Sequence, residues 1–272
     1  MTSTSLPNGR TTLAWRESGR GETMVLLHGI PGSSRTWSRV AELLSPRFRV
    51  LVPDLLGFGS SPDGSRAPHV FEQAQTLLQD FRALRIDAAH VAGFDFGGPV
   101  AVALASIAPG LLTGLTLLST NVLTDTPVPL PLQVARIPIA GELAFRMMFS
   151  RPGLHLMWRN AAVDRVRFPL EEFRDSLDRR GIGTARRIFL ASLRHLPALY
   201  GPIEAALAEI SIPVTVMWGD RDPFFSIATG ERTARRIPGA RFVVLPGCGH
   251  FLPNERAAEV TATIVDSVSE SR

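Results

Sequence analysis

The 272-residue chain contains no lysine, so all 29 of its basic residues are arginine. The pI near 10.6 therefore reflects the very high pKa of guanidinium more than an excess of charge, since the formal net charge is only +4. The arginines are scattered among Asp and Glu without a long run of one sign, which argues against a nucleic-acid partner. Cys248 is the only cysteine, so no intrachain disulfide can form. Tyr200 is the only tyrosine. No long apolar run is present either. The most apolar stretch, Pro127 to Phe149, is interrupted by Arg136, Glu142, Arg146 and several prolines, which excludes a membrane span there. Met1 to Arg10 is polar and lacks the apolar centre of a signal peptide, so the expected location is cytoplasmic. With 45% hydrophobic residues, the chain is able to bury one large core.

Short apolar runs alternate with helical patterns, which predicts an α/β fold with a mostly parallel sheet and crossover helices. Thr11–Glu17 reads as a strand in a hairpin after the Pro7-Asn8-Gly9 turn. Met24–Leu27, Val50–Val52, His90–Phe94, Leu112–Leu118, Val214–Trp218 and Phe242–Leu245 read as further strands. Arg35–Leu44, Phe71–Leu84, Gly97–Ile107 and Glu255–Val268 read as helices. In the second of these, Phe71, Ala74, Leu77, Leu78, Phe81 and Leu84 fall at helical spacing. Between Asn121 and about Ile210 the alternation stops, and the segment is helical, Arg-rich and repeatedly broken by proline. The expected organisation is a core of residues 1–121 and 211–272, with 122–210 as a helical cap inserted after the sixth strand. Such a cap covers the carboxyl ends of the strands, where open α/β sheets bind ligands.

The most informative string is Gly93-Phe94-Asp95-Phe96-Gly97-Gly98. It has the form of a nucleophile elbow, G-x-Nu-x-G, between a predicted strand and a predicted helix. The turn strains the nucleophile's backbone, and the flanking glycines let strand and helix pass closely. An N-capping Asp followed by glycines needed only for the backbone is the alternative for this string alone.

Four further segments stand in the matching order: His28-Gly29-Ile30-Pro31-Gly32, Pro53-Asp54-Leu55-Leu56-Gly57-Phe58-Gly59-Ser60-Ser61, Trp218-Gly219-Asp220-Arg221-Asp222-Pro223, and Gly249-His250-Phe251-Leu252-Pro253. Together with the elbow they resemble the α/β-hydrolase fold superfamily over nearly the whole chain except the cap. An aspartate in the elbow resembles the branch containing epoxide hydrolases and haloalkane or haloacetate dehalogenases. The resemblance implies Asp95 as nucleophile, His250 as general base and Asp222 as its orienting acid. Asp220, two residues away, is the competing acid. The backbone N–H groups of Ile30 and Phe96 would form the oxyanion hole, and Pro31 would fix their loop. His28, Asp54, Gly57, Gly59 and Cys248 read as scaffold. No cofactor and no metal are implied.

The chemistry explains the carboxylate. A serine attacking saturated carbon forms an ether that water cannot readily cleave. An aspartate forms an ester, which an activated water hydrolyses. In epoxide hydrolases a pair of cap tyrosines donates hydrogen bonds to the ring oxygen. Here only Tyr200 is available, and Phe145 or Met148 stands where a second is expected. Haloalkane dehalogenases commonly have Trp after the nucleophile and often Asn in the H-G-x-P loop, where this chain has Phe96 and Ile30. Haloacetate enzymes have Arg after the nucleophile, also absent here. Trp158 is the remaining candidate N–H donor. The expected activity is hydrolytic opening of an epoxide in a small hydrophobic substrate, with Pro31, Phe145, Met148 and Trp158 in its pocket. A haloalkane-type dehalogenase and a non-catalytic binding homologue are the alternatives. Nothing in the chain opposes a homodimer.

Overall fold

The computed structural model describes residues 4–5, 11–65, 69–127, 133, 137, 139–178 and 180–269. Eight strands form one sheet in the order β1-β2-β4-β3-β5-β6-β7-β8. They are β1 (Thr4–Ser5), β2 (Trp15–Ser18), β3 (Glu22–Leu27), β4 (Phe48–Pro53), β5 (Ala89–Phe94), β6 (Leu112–Leu118), β7 (Val214–Gly219) and β8 (Arg241–Leu245). β1 pairs antiparallel with β2 and β2 antiparallel with β4, and all later pairings are parallel. The expected parallel sheet with an insertion after the sixth strand is therefore present.

The helices are α1 (Ser38–Leu44), α2 (Val70–Ala83), α3 (Gly97–Ile107), α4 (Ala140–Met148), α5 (Arg151–Ala161), α6 (Leu170–Ser176), α7 (Ile182–Ala206), α8 (Ile227–Arg236), α9 (Leu252–Glu255) and α10 (Ala257–Ser269). Parallel strands buried on both faces need continuous apolar runs, and β5 and β7 are buried at every residue. One face of the sheet packs against α2, α3 and part of α7 through a cluster including Leu77, Phe81, Val100, Leu104, Ile188 and Ile203. The other packs against α1 and α10 through Trp37, Val40, Leu44, Val260 and Ile264.

The first strand segment differs from expectation. β2 starts only at Trp15, because the N–H groups of Thr12 and Leu13 donate to the Asp80 carboxylate at 2.7 and 2.9 Å rather than to a ladder. The Pro7-Asn8-Gly9 turn lies outside the described residues. The helix expected from Arg35 opens as a 3₁₀ turn, Ser34–Trp37, before α1. The last helix is split at Arg256 into α9 and α10.

Between β6 and β7 the described residues form α4, α5, α6 and α7. α7 is kinked at His195, whose φ/ψ of −130° and 31° are not helical. Pro197 follows two residues later; its missing N–H and its ring disrupt the helical ladder at this point. Along the sheet, β4 lies on one side of β3 and β5 on the other. The chain thus reverses its direction of travel between β3 and β5, and a crevice opens at the carboxyl ends of these strands.

Candidate active site

Asp95 stands at that crevice, one residue beyond β5, with φ of 52°. Few non-glycine residues adopt this left-handed conformation, and Asp is among those that tolerate it. The turn survives because its neighbours have no Cβ. A side chain at Gly93 would run into the Gly97 backbone, one at Gly97 into Leu27, and one at Gly98 into Thr120. A Cβ on Gly29 would collide with the Asp95 side chain itself. Thr120 Oγ1 donates to the Asp95 carbonyl at 2.6 Å, and the Asp95 N–H donates to Leu118 O at 3.1 Å.

The two carboxylate oxygens of Asp95 have different surroundings. Oδ1 accepts the Ile30 N–H at 2.8 Å, and the carboxylate also accepts the Phe96 N–H. Oδ2 lies 3.8 Å from His250 Nε2. Burial raises the Asp95 pKa above 3.8; the His250 charge and the Ile30 and Phe96 N–H groups oppose this without overcoming it.

His250 follows β8 on the Gly247-Cys248-Gly249 loop. Its Nδ1 lies 2.8 Å from Asp222 Oδ2, and the Asp222 side chain is fully buried. Asp222 Oδ1 accepts the N–H groups of Phe224 and Phe225 at 2.8 and 3.1 Å, which fixes the carboxylate against the ring. Asp220 does something else: it is exposed and accepts the Cys248 N–H at 3.2 Å. Burial lowers the His250 pKa, but the charge and hydrogen bond of Asp222, with the charges of Asp95 and Glu255, raise it above 6.5 overall. Phe94, Phe224, Phe225 and Phe251 surround the ring with centroids 4.9 to 5.8 Å away.

A cavity of about 250 Å³ opens over Asp95 and His250. Pro31, Phe145, Met148, Phe149, Met157 and Phe189 give it mostly apolar walls. Tyr200 faces the same cavity and its hydroxyl is hydrogen-bonded to that of Ser192. Burial pushes the Tyr200 pKa up to about 12, with the Ser192 hydrogen bond opposing and the Asp95 charge adding to the rise. The phenol therefore keeps its proton through the neutral range.

Trp158 requires a correction. It is not among the cavity-lining residues. Its Nε1–H donates to Phe168 O at 2.8 Å, and its ring packs against the Ala162–Phe168–Phe173 cluster. The indole is a brace inside the insertion, with no N–H left for a leaving group. The side chain of Asn121, which also borders the cavity, is bound to Leu123 and Thr126.

The remaining motif residues hold the loops. His28 Nδ1–H donates to Gly29 O at 2.7 Å and Nε2 accepts the Leu55 N–H at 3.0 Å. Burial lowers the His28 pKa, in keeping with this neutral tautomer. Asp54 accepts the N–H groups of Ser34 and Ser60. Cys248 is buried, and burial pushes its thiol well above the ordinary range.

Two residues escaped sequence reasoning. Ser192 is one. Glu255 is the other: its Oε2 accepts Val163 N, Asp164 N and Gly249 N at 2.8, 2.9 and 3.4 Å. It ties the histidine loop to the end of α5, where the His250 N–H also donates to Ala161 O at 2.9 Å. Among the described residues no group of three or more His, Cys, Asp or Glu is placed to hold a metal ion.

A strand-to-helix elbow bearing a carboxylate, a carboxylate-oriented histidine on the last loop and two backbone donors at the switch point define an α/β-hydrolase site. The chain belongs to the alpha/beta hydrolase family, whose model matches residues 24–263. It is 28% identical to a 2-hydroxy-6-oxononadienedioate/2-hydroxy-6-oxononatrienedioate hydrolase of Paraburkholderia xenovorans, covering 95% of this chain and 91% of that enzyme. A thermophilic esterase from Thermogutta terrifontis superposes with a TM-score of 0.78 at 26% identity, covering 100% of this chain and 99% of the esterase. The haloalkane dehalogenase DbeA from Bradyrhizobium elkani superposes with a TM-score of 0.81 over 99% of this chain and 98% of its own, but at 20% identity it shares the fold alone. No helix among the described residues is long and apolar enough to cross a membrane.

Proposed function

We propose that this hydrolase opens an epoxide of a hydrophobic small molecule through a covalent ester on Asp95 and hydrolyses that ester to a diol. The observation that carries the reading is the division of labour within the Asp95 carboxylate. Oδ1 is held by the Ile30 N–H while Oδ2 is left on the His250 side. In this reading residues 122–210 act as a cap that closes the site.

Oδ2 attacks a ring carbon, the ring C–O bond breaks, and its electron pair passes to the ring oxygen. Tyr200 donates to that oxygen, with Ser192 as the second hydroxyl of the site. The hydrogen bond with Ser192 holds the phenol at the cavity. The ester that forms has Oδ1 as its carbonyl oxygen, which accepts the Ile30 N–H, with the Phe96 N–H as the second donor of the proposed oxyanion hole. Alkylation also removes the Asp95 charge, one of the charges that raise the His250 pKa. His250 then deprotonates more readily, takes a proton from water, and directs the hydroxide to Cγ. Collapse breaks the Cγ–Oδ2 bond and releases the diol; His250 returns its proton to the leaving oxygen, and the proton left on the Asp95 carboxyl replaces the one Tyr200 gave to the ring oxygen.

Ester hydrolysis, suggested by the esterase likeness, suits this nucleophile less well. A carboxylate attacking an ester would have to expel an alkoxide to form an anhydride. With a reference pKa of about 3.9, the carboxylate is much the better leaving group, so the tetrahedral adduct reverts. Halide displacement lacks the donors considered above: Phe96 and Ile30 have apolar side chains, and the Trp158 N–H is engaged.

The test is a panel of apolar epoxides, haloalkanes and carboxylic esters, read as diol, halide and acid. A single turnover in H₂¹⁸O should place the label in the Asp95 peptide and leave the first diol unlabelled. Halide release without epoxide turnover would replace this reading with a dehalogenase. Label appearing directly in the first diol would remove the covalent route.

A further inference from the structure

The outer face of α4 is unlike the rest of the surface. Ile139, Leu143 and Met147 follow at four-residue intervals and are 84%, 61% and 64% exposed, so they form one stripe along the helix. Ile137, which accepts the Gly141 N–H at the start of α4, and Leu156 of the adjoining α5 are exposed as well. Of eight exposed large apolar side chains among the described residues, these are five. The inner face of α4 is apolar too, because Phe145 and Met148 line the cavity. A helix apolar on both faces is ordinarily buried on both, yet one face here meets solvent.

The fully exposed charged residues of α4 and α5 are all basic. Arg146, Arg151 and Arg159 are exposed, and none of them takes part in an ion pair among the described residues. The only acidic residue of α4, Glu142, is bound to Arg186 of α7, and α5 has no acidic residue.

We infer that the α4–α5 face docks on an anionic lipid surface. Apolar side chains that enter the acyl boundary, beside arginines that meet anionic headgroups, are the composition such binding requires. A second copy of the chain fits poorly, because a two-fold contact would set the same unpaired arginines against each other. Nucleic acid would meet the arginines but leave the stripe in water. Docking would place lipid one helix thickness from the catalytic cavity, on the side where an apolar substrate dissolved in the bilayer would arrive. The inference does not depend on the epoxide reading, since binding requires no turnover.

The experiment is co-sedimentation of the full chain with vesicles of phosphatidylcholine alone or mixed with phosphatidylglycerol. The protein is expected to pellet with the anionic vesicles and to be partly released by added salt. Leu143→Ser with Met147→Gln should weaken binding, and so should Arg146→Gln with Arg151→Gln, each by roughly tenfold or more. Val244→Ser, an exposed apolar residue elsewhere, should leave it unchanged. Circular dichroism on each variant checks that the fold is retained, and the two variant pairs act through different groups. Parent protein remaining in the supernatant with both vesicle types overturns the inference, as does parental binding by both pairs. A dimer in sedimentation equilibrium that is lost in Leu143→Ser/Met147→Gln would also overturn it, by assigning the stripe to a second copy.

Discussion

His250 Nε2 stands 3.8 Å from Asp95 Oδ2, beyond a hydrogen bond but well within the range of their charges. In the proposed reaction this separation would let a water between them meet the base and the ester carbon together, and it leaves the Asp95 carboxylate without a direct bond to the histidine.

Asp95 is partly buried at a left-handed turn, and that burial raises its pKa. For an acid this sign means that the folded state loses stability as pH rises past the unfolded value, so at pH 7 the charge works against the fold. Asp95→Asn keeps the turn and the bond from Ile30 but removes the charge. Turnover should vanish, and stability at pH 7 should rise, measured by urea unfolding. A less stable Asp95→Asn protein would contradict the assignment of a burial cost to this charge.

His250→Gln should still be alkylated but fail to hydrolyse the ester, leaving a substrate adduct on the Asp95 peptide in mass spectra. The pH profile follows from the same pair. Alkylation needs ionised Asp95, whose pKa is raised, and hydrolysis needs neutral His250, raised above 6.5. Both steps therefore gain rate as pH rises. Tyr200, at about 12, keeps its proton past the ordinary tyrosine value, so the profile should show an acid limb and a plateau reaching that value. A fall in rate between neutrality and the ordinary tyrosine value would assign the donor elsewhere.

Tyr200→Phe keeps the ring and removes the hydroxyl. Loss of one preorganised donor is expected to slow alkylation about a hundred- to a thousand-fold, with hydrolysis of a preformed ester little changed. Ser192→Ala should have a smaller effect in the same step, on the order of tenfold, because the phenol remains. Stopped-flow measurement of the two half-reactions separates these outcomes. Equal losses in both steps would indicate a packing role.

Asp222 touches the His250 ring, whereas Asp220 touches only the Cys248 N–H. Asp222→Asn should reduce ester hydrolysis by several orders of magnitude, as loss of the tautomer-fixing carboxylate does in triads generally. Asp220→Asn should cost less than about tenfold. Steady-state rates for both variants decide, and the reverse order would exchange their roles.

Buried His90 gives an acid dependence unrelated to catalysis. Burial lowers its pKa to about 4, so its neutral form supports the fold above 6.5 and the support is lost as pH falls towards 4. The full loss is about 3 kcal/mol. His90→Leu should flatten the slope of urea stability against pH in that window, whatever its stability at pH 8. An unchanged slope would show that other groups set it.

The elements that carry the site were legible because each places its functional residue at a strand end beside a local signature: glycines around Asp95, His28-Gly29 before Ile30, Gly249 before His250. α8 was not, because its buried face consists of Thr229, Gly230, Thr233 and Ala234, which carry little hydrophobic signal. Ser192 was hidden for a different reason. It lies eight residues before Tyr200 on one helix, and their hydroxyls come together across the kink at His195, which no periodicity announces. Trp158 had the right chemistry for a pocket donor, but its partner, Phe168 O, was set by tertiary packing. Glu255 depends on contacts about 90 residues distant in the chain.

The insertion is fastened to the catalytic loops at several points. Glu255 and the Ala161 carbonyl hold it to the histidine loop, Arg256 bonds Asp164, and the Asp178 N–H bonds Pro31 O beside the oxyanion donors. α4 has far less restraint: among the described residues, its one side-chain bond to another element joins Glu142 to Arg186 of α7. If the whole insertion lifted, His250 and Ile30 would be pulled out of alignment with Asp95. A doorway at α4 would leave them where they stand. In the proposed reaction, a door cut in that wall would leave the workbench behind it bolted down.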